Sequence, residues 1–177
     1  KNSYLEKSSQ TIYKYFLNGE TLPYNYRDIY GKISLNAPNG SKVNFFGFNF
    51  TDDVNGYKSI SNFGWDSYGA GVNFVVIPGK SPVLIEGNIA YSDYKATLEE
   101  QNNPTRMSSI NGFNAGFAFT YFMGKNSLKY GIEMLGFKTV FDYTKSNGIH
   151  MSQIDNTTEL GAYVKYKAQF DKFILEP

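Results

Sequence analysis

Apolar and polar residues alternate with a period of two along most of this chain. Between Phe113 and Tyr121, one parity reads Phe113, Ala115, Phe117, Phe119, Tyr121 and the other reads Asn114, Gly116, Ala118, Thr120. After Gly124-Lys125-Asn126-Ser127, the pattern resumes with Leu128, Tyr130, Ile132 and Met134 against Lys129, Gly131 and Glu133. Successive side chains of a strand point to opposite faces, so the pattern predicts a hairpin with one apolar face. The same alternation predicts strands over 28–36, 63–77, 83–95 and 157–168. Val72, Phe74, Ile85, Ile89 and Val164 then fall on apolar faces, and Asn73, Glu86, Asn88 and Lys165 on the opposite ones. In 42–51 phenylalanines occupy both parities (Phe46, Phe48 and Phe50 against Phe45), so the facing of that strand stays open.

The connections predict an asymmetric layout. Tight turns centre near Asn39, Gly79, Lys125 and Asp171, where Pro, Gly and Asn supply turn chemistry. Polar stretches at 6–27, 52–62, 96–108 and 144–156 read as long loops, the first with room for a short surface helix. Lys1–Leu5 and Phe173–Pro177 read as strand stubs. Short turns at one end, long loops at the other and long alternating strands are the layout of an outer-membrane barrel.

Composition narrows the classes. A net charge of +1 with dispersed Lys and Arg excludes the basic face of a nucleic-acid binder. With no cysteine and one histidine, His150, there is no disulfide framework and no familiar zinc site. Fifteen Tyr and 15 Phe are a heavy aromatic load for a chain of mean hydropathy −0.39. No apolar run is long enough for a transmembrane helix, a test that β-strands escape. The expected fold class is all-β, an antiparallel transmembrane β-barrel segment of about eight strands, two of them stubs, in a single domain over 1–177. Two rival readings stay open: a complete eight-stranded outer-membrane barrel of structural or adhesive role, and a soluble lipocalin-like barrel holding a hydrophobic ligand.

The segments SYLEKSSQTIYKYF, LPYNYRDIYGKISLNAPNGSKVNFFGFNF, WDSYGAGVNF, VLIEGNIAYSDY, INGFNAGFAFTYFMGKN, KYGIEMLGFKT and NTTELGAYVKYKAQFDKFILEP cover nearly the whole chain. They resemble the barrel of Bacteroidetes TonB-dependent receptors of the kind with an amino-terminal carboxypeptidase-regulatory-like domain. The resemblance implies a barrel of about 22 strands around a plug, importing a nutrient across the outer membrane with energy delivered by TonB. The plug and the TonB-contacting segment have no counterpart in this sequence. The implied partners are outer-membrane lipid, the plug, the remaining barrel strands, TonB through segments outside this chain, and in some cases a surface lipoprotein. On this reading Val72, Phe74, Ile85, Ile89, Phe113, Phe117, Phe119, Ile132 and Val164 face lipid. Asn73, Glu86, Asn88, Asn114, Glu133 and Lys165 face the lumen or plug.

No enzymatic chemistry and no cofactor are expected. Asp66, Ser67 and His150 make no nucleophile motif. Gly69-Ala70-Gly71 lacks the third glycine and following helix of a dinucleotide site. The Asp52-Asp53 and Glu99-Glu100 pairs lack the ligand spacing of a calcium loop and read as solvated charges. Tyr13, Tyr15, Tyr24, Tyr26 and Trp65, in or near the expected outer loops, are candidates for stacking on a ligand or for packing within a loop.

Overall fold

The computed structural model describes residues 14–15, 24–57, 60–145, 147–170 and 172–176. They form one antiparallel sheet of eight strands in sequence order, each paired with its chain neighbours. The strands are β1 (Tyr24–Asn36), β2 (Lys42–Tyr57), β3 (Ile60–Val76), β4 (Val83–Glu100), β5 (Asn103–Met123), β6 (Asn126–Thr144), β7 (His150–Phe170) and β8 (Phe173–Leu175). The sheet is open: β1 and β8 are not paired with each other. Beyond the three residues that pair with β8, β7 has a free edge among the described residues. The stub expected at Lys1–Leu5 lies outside the described residues. So does most of the expected loop helix, of which Lys14 and Tyr15 are helical.

Three of the expected long loops are strand, so the expected asymmetry of short turns and long loops is not found among the described residues: the connections 58–59, 101–102 and 145–149 are no longer than those at the other end. β2 runs through Asp52–Tyr57, β4 through Ala96–Glu100 and β7 starts at His150. β5 and β7 reach 21 residues each, against ~5–6 in ordinary sheets. Neither face of these extensions is consistently apolar, so their alternation fades. Their backbone groups are satisfied by continuing the ladder, as in Thr97↔Met107 and Asp142↔Ser152. Asn102, with φ 66°, helps close the β4–β5 turn, a backbone conformation that Asn tolerates. At the other end, Gly124 takes φ 63° at the first position of the two-residue β5–β6 turn, where a type II′ turn demands positive φ.

Register is marked by glycines facing aromatic rings. Phe46 pairs with Gly71 and Phe48 with Gly69. Phe74 pairs with Gly87, Gly112 with Phe137 and Phe113 with Gly136, and Gly131 with Tyr163. In each pair the ring lies where a β-carbon on the glycine would stand. An aromatic side chain thus covers the backbone that its partner leaves bare.

The sheet encloses little of its own. Among the described residues the buried apolar side chains are Ala118 and Ala168, and no large side chain is fully buried. The accessible surface is 12466 Å², against roughly 8,700 Å² for a compact monomer of this mass. Among the described residues neither face is packed on another layer.

Candidate functional site

The candidate site is the sheet itself, and cross-strand register defines its two faces. On the apolar face five successive rungs run across the sheet. Nearest the connections 77–82 and 124–125 is Val83–Tyr121–Leu128–Tyr166, followed by Val76–Ile85–Phe119–Tyr130–Val164. The middle rung is Leu35–Val43–Phe74–Gly87–Phe117–Ile132–Ala162. Next come Ile33–Phe45–Val72–Ile89–Ala115–Met134–Leu160 and Gly31–Gly47–Ala70–Tyr91–Phe113–Gly136–Thr158. The sixth rung, Ile29–Asn49–Tyr68–Asp93–Asn111–Lys138–Asn156, is polar apart from Ile29 and Tyr68. The band therefore has sharp limits. Tyr121, Tyr130 and Tyr166 mark one rim. Tyr68 and Tyr91, with ring centroids 6.4 Å apart, mark the other. Large apolar groups stand exposed within it, Ile132 at 55% and Leu160 at 77% among them.

All nine residues expected to face lipid lie on this apolar face. The six lumen candidates share the opposite face. There a rung of Ser34, Asn44, Asn73, Asn88, Gly116, Glu133 and Gly161 crosses seven strands. The Ser34 hydroxyl donates to Asn44 Oδ1 at 2.7 Å, and Asn44 Nδ2 donates to Asn73 Oδ1 at 2.6 Å. Asn88 Nδ2 donates to Asn114 Oδ1 at 3.3 Å. Lys129 reaches across β5 to Glu86, Nζ to Oε2 2.7 Å, and Lys165 meets Glu176 at 2.7 Å. A hollow of about 310 Å³ is lined by Asn73, Glu86, Asn88, Lys129, Glu133 and Tyr163 among others. On this face small side chains stand beside hydrogen-bonded amides and paired charges.

Sequence reasoning missed three features of this face. Ser34 and Asn44 extend the amide rung, and Lys129 is the partner of Glu86. The facing of β2, open from sequence, resolves with Val43 and Phe45 on the apolar face and Phe46, Phe48 and Phe50 on the polar one. Phe48 and Phe50 stack there at 5.0 Å. The polar face is thus aromatic towards the far end of the strands, where Trp65, Tyr94 and Phe141 also project. Of the stacking candidates, Tyr26 and Trp65 share a rung through Asp52. Tyr15 is 90% exposed, and Tyr13 lies outside the described residues.

The metal and catalytic candidates come apart. Asp52 and Asp53, adjacent in β2, point to opposite faces. Glu100 pairs with Arg106 at 3.2 Å, and Arg106 sits 5.3 Å from the Tyr143 ring centroid. His150 Nδ1 lies 3.4 Å from Asp142 Oδ1 and 3.2 Å from Thr144 Oγ1. Among the described residues no group of His, Asp or Glu is gathered to hold a metal ion. No protein-family model, curated protein or solved structure matches this chain.

Proposed function

We propose that this chain is a stretch of wall in an outer-membrane β-barrel, and that the barrel is a TonB-dependent importer of a nutrient. The observation that carries the wall reading is the five-rung apolar band between tyrosine rims. An exposed apolar patch of this extent marks a surface that something apolar covers. From Phe113 to Tyr121 the band takes about nine residues of strand, within the ~9–11 that a tilted strand needs to cross a bilayer. Tyrosines at both limits suit the two membrane interfaces. The amides and paired charges behind the band suit a wet interior or a polar plug. Among the described residues β1 and most of β7 each have an unpaired edge, which favours an arc of a larger barrel, since such an edge in lipid leaves backbone groups unsatisfied.

The importer half of the proposal rests on the family resemblance alone. It assigns this chain no chemistry of its own: the wall holds the plug and the remaining strands, and TonB acts elsewhere. Fractionation of cells making the whole natural protein tests the wall. It should stay in outer membranes through carbonate washing and leave them in detergent; recovery in the soluble fraction would overturn the reading. Uptake of the nutrient should collapse when the proton-motive force is dissipated. Uptake indifferent to that treatment refutes the importer while leaving the wall standing.

A further inference from the structure

The end of the sheet with the connections 37–41, 77–82, 124–125 and 171–172 carries a charge pattern that strand alternation does not require. Each of the four connections at that end has a lysine in it or beside it. Lys42 opens β2 after 37–41, Lys80 lies in 77–82, Lys125 in 124–125, and Lys172 just before β8. All four are exposed. Among the described residues none is in an ion pair. Towards the opposite end come Asp52, Asp53, Asp66, Asp93, Glu99 and Glu100. Arg27, Lys95, Arg106, Lys138 and Lys145 stand among those acids, whereas Asp171 is the one acid in the connections that hold the lysines.

Lys80, Lys125 and Lys172 stand just beyond the rim made by Tyr121, Tyr130 and Tyr166, whereas Lys42, paired with Val75, lies inside it. Three strand steps past Tyr121 amount to roughly 10 Å. The headgroup layer lies within about that distance of the hydrocarbon edge. We propose that this end of the wall docks the anionic phospholipid headgroups of the adjoining leaflet. The inference rests on the membrane reading above. The match is one of charge: a surplus of exposed, unpaired ammonium groups at headgroup depth meets phosphates that carry a net negative charge. A zwitterionic headgroup offers no such surplus.

The test compares folding of the whole natural protein from urea into two kinds of vesicle. One is pure phosphatidylcholine; the other contains about one third phosphatidylglycerol. The quantity read is the ratio of the two folding equilibrium constants. Each lysine near an anionic surface is worth about fivefold. The triple variant Lys80→Gln, Lys125→Gln, Lys172→Gln should therefore lower the ratio roughly 100-fold. Lys32→Gln, mid-band on the polar face opposite Phe46, should leave it unchanged. Near 1 M salt, where the screening length is ~3 Å, the wild-type preference should vanish.

If the triple variant folds into both vesicles with the wild-type ratio, headgroup docking is wrong and the membrane reading survives. A protein that folds in water and enters neither vesicle overturns the membrane reading and this inference with it. Protection of the three lysines from acetylation by polyglutamate, but not by anionic vesicles, would make the occupant an acidic protein segment and overturn the proposal too.

Discussion

Adding one methyl group at Gly71 should destabilise the sheet, whereas the same change at Gly47, one strand over, should stabilise it. Gly71 lies on the polar face of β3 between Phe46 of β2 and Ala90 of β4. A β-carbon there would stand 2.6 Å from Phe46 Cζ, 2.8 Å from Ala90 Cβ and 2.8 Å from the Ile89 carbonyl oxygen. Comfortable carbon contacts are ~3.5–4.0 Å. The phenyl ring could swing aside, but the carbonyl belongs to the ladder and moves only if β3 and β4 part. Overpacking of this kind costs about 1–3 kcal/mol. At Gly47 the new carbon would meet the Gly69 carbonyl oxygen at 3.5 Å, an ordinary contact. There alanine gains ~0.5–1 kcal/mol by restricting the unfolded chain. The two variants should therefore differ by roughly 1.5–4 kcal/mol, with opposite signs. Urea unfolding of the vesicle-folded protein measures both. Adding Phe46→Leu to Gly71→Ala should recover at least ~0.5 kcal/mol as coupling between touching residues. If Gly71→Ala proved as benign as Gly47→Ala, the pairing of glycines with aromatic rings would not set this register.

Asn44 is the one amide of its rung that is buried, at 7% exposure, and it bonds on both sides. Asn44→Ala should cost about 1–3 kcal/mol in the same unfolding assay, and Asn114→Ala, at an exposed site with a 3.3 Å bond, much less. The Glu176 carboxyl lies below the tyrosine rim, and the hydrogen bond from Lys165, then its charge, hold its pKa below the ordinary 4.5. A depressed folded pKa stabilises the folded state above the ordinary value and loses that contribution as pH falls through the folded one. The stability gap between wild type and Glu176→Gln should therefore be present at neutral pH and close as the medium is acidified below the ordinary 4.5; a gap that widened in acid would invert the assignment.

Much of the wall was legible because alternation reports the two faces of a strand directly. Phe117 and Asn114, or Ile132 and Glu133, separate by parity alone. Legibility stopped where both faces meet water. In Ala96–Glu100 and His150–Asn156 neither face is consistently apolar, and pairing there rests on backbone groups that the sequence does not advertise. β2 resisted for a different reason. Its phenylalanines serve both faces, and their assignment depends on Gly69 and Gly71 of the neighbouring strand, which no single-strand pattern contains. The amide rung and the Glu86–Lys129 pair were hidden for the same reason, since their members lie on different strands. The rim lysines looked dispersed because they are about 40 residues apart in sequence; the meander gathers them at one end.

Ile132→Arg tests the central claim most directly. Ile132 lies on the middle rung of the band and is 55% exposed, so arginine meets little steric resistance there. In water the change should be nearly neutral; at a bilayer midplane it should cost about 2–4 kcal/mol. The measurement is the folding free energy in vesicles, beside Asn114→Arg on the opposite face. The account predicts a loss of about 2–4 kcal/mol for Ile132→Arg and a small change for Asn114→Arg. A neutral Ile132→Arg beside a damaging Asn114→Arg would show that the apolar band does not face lipid.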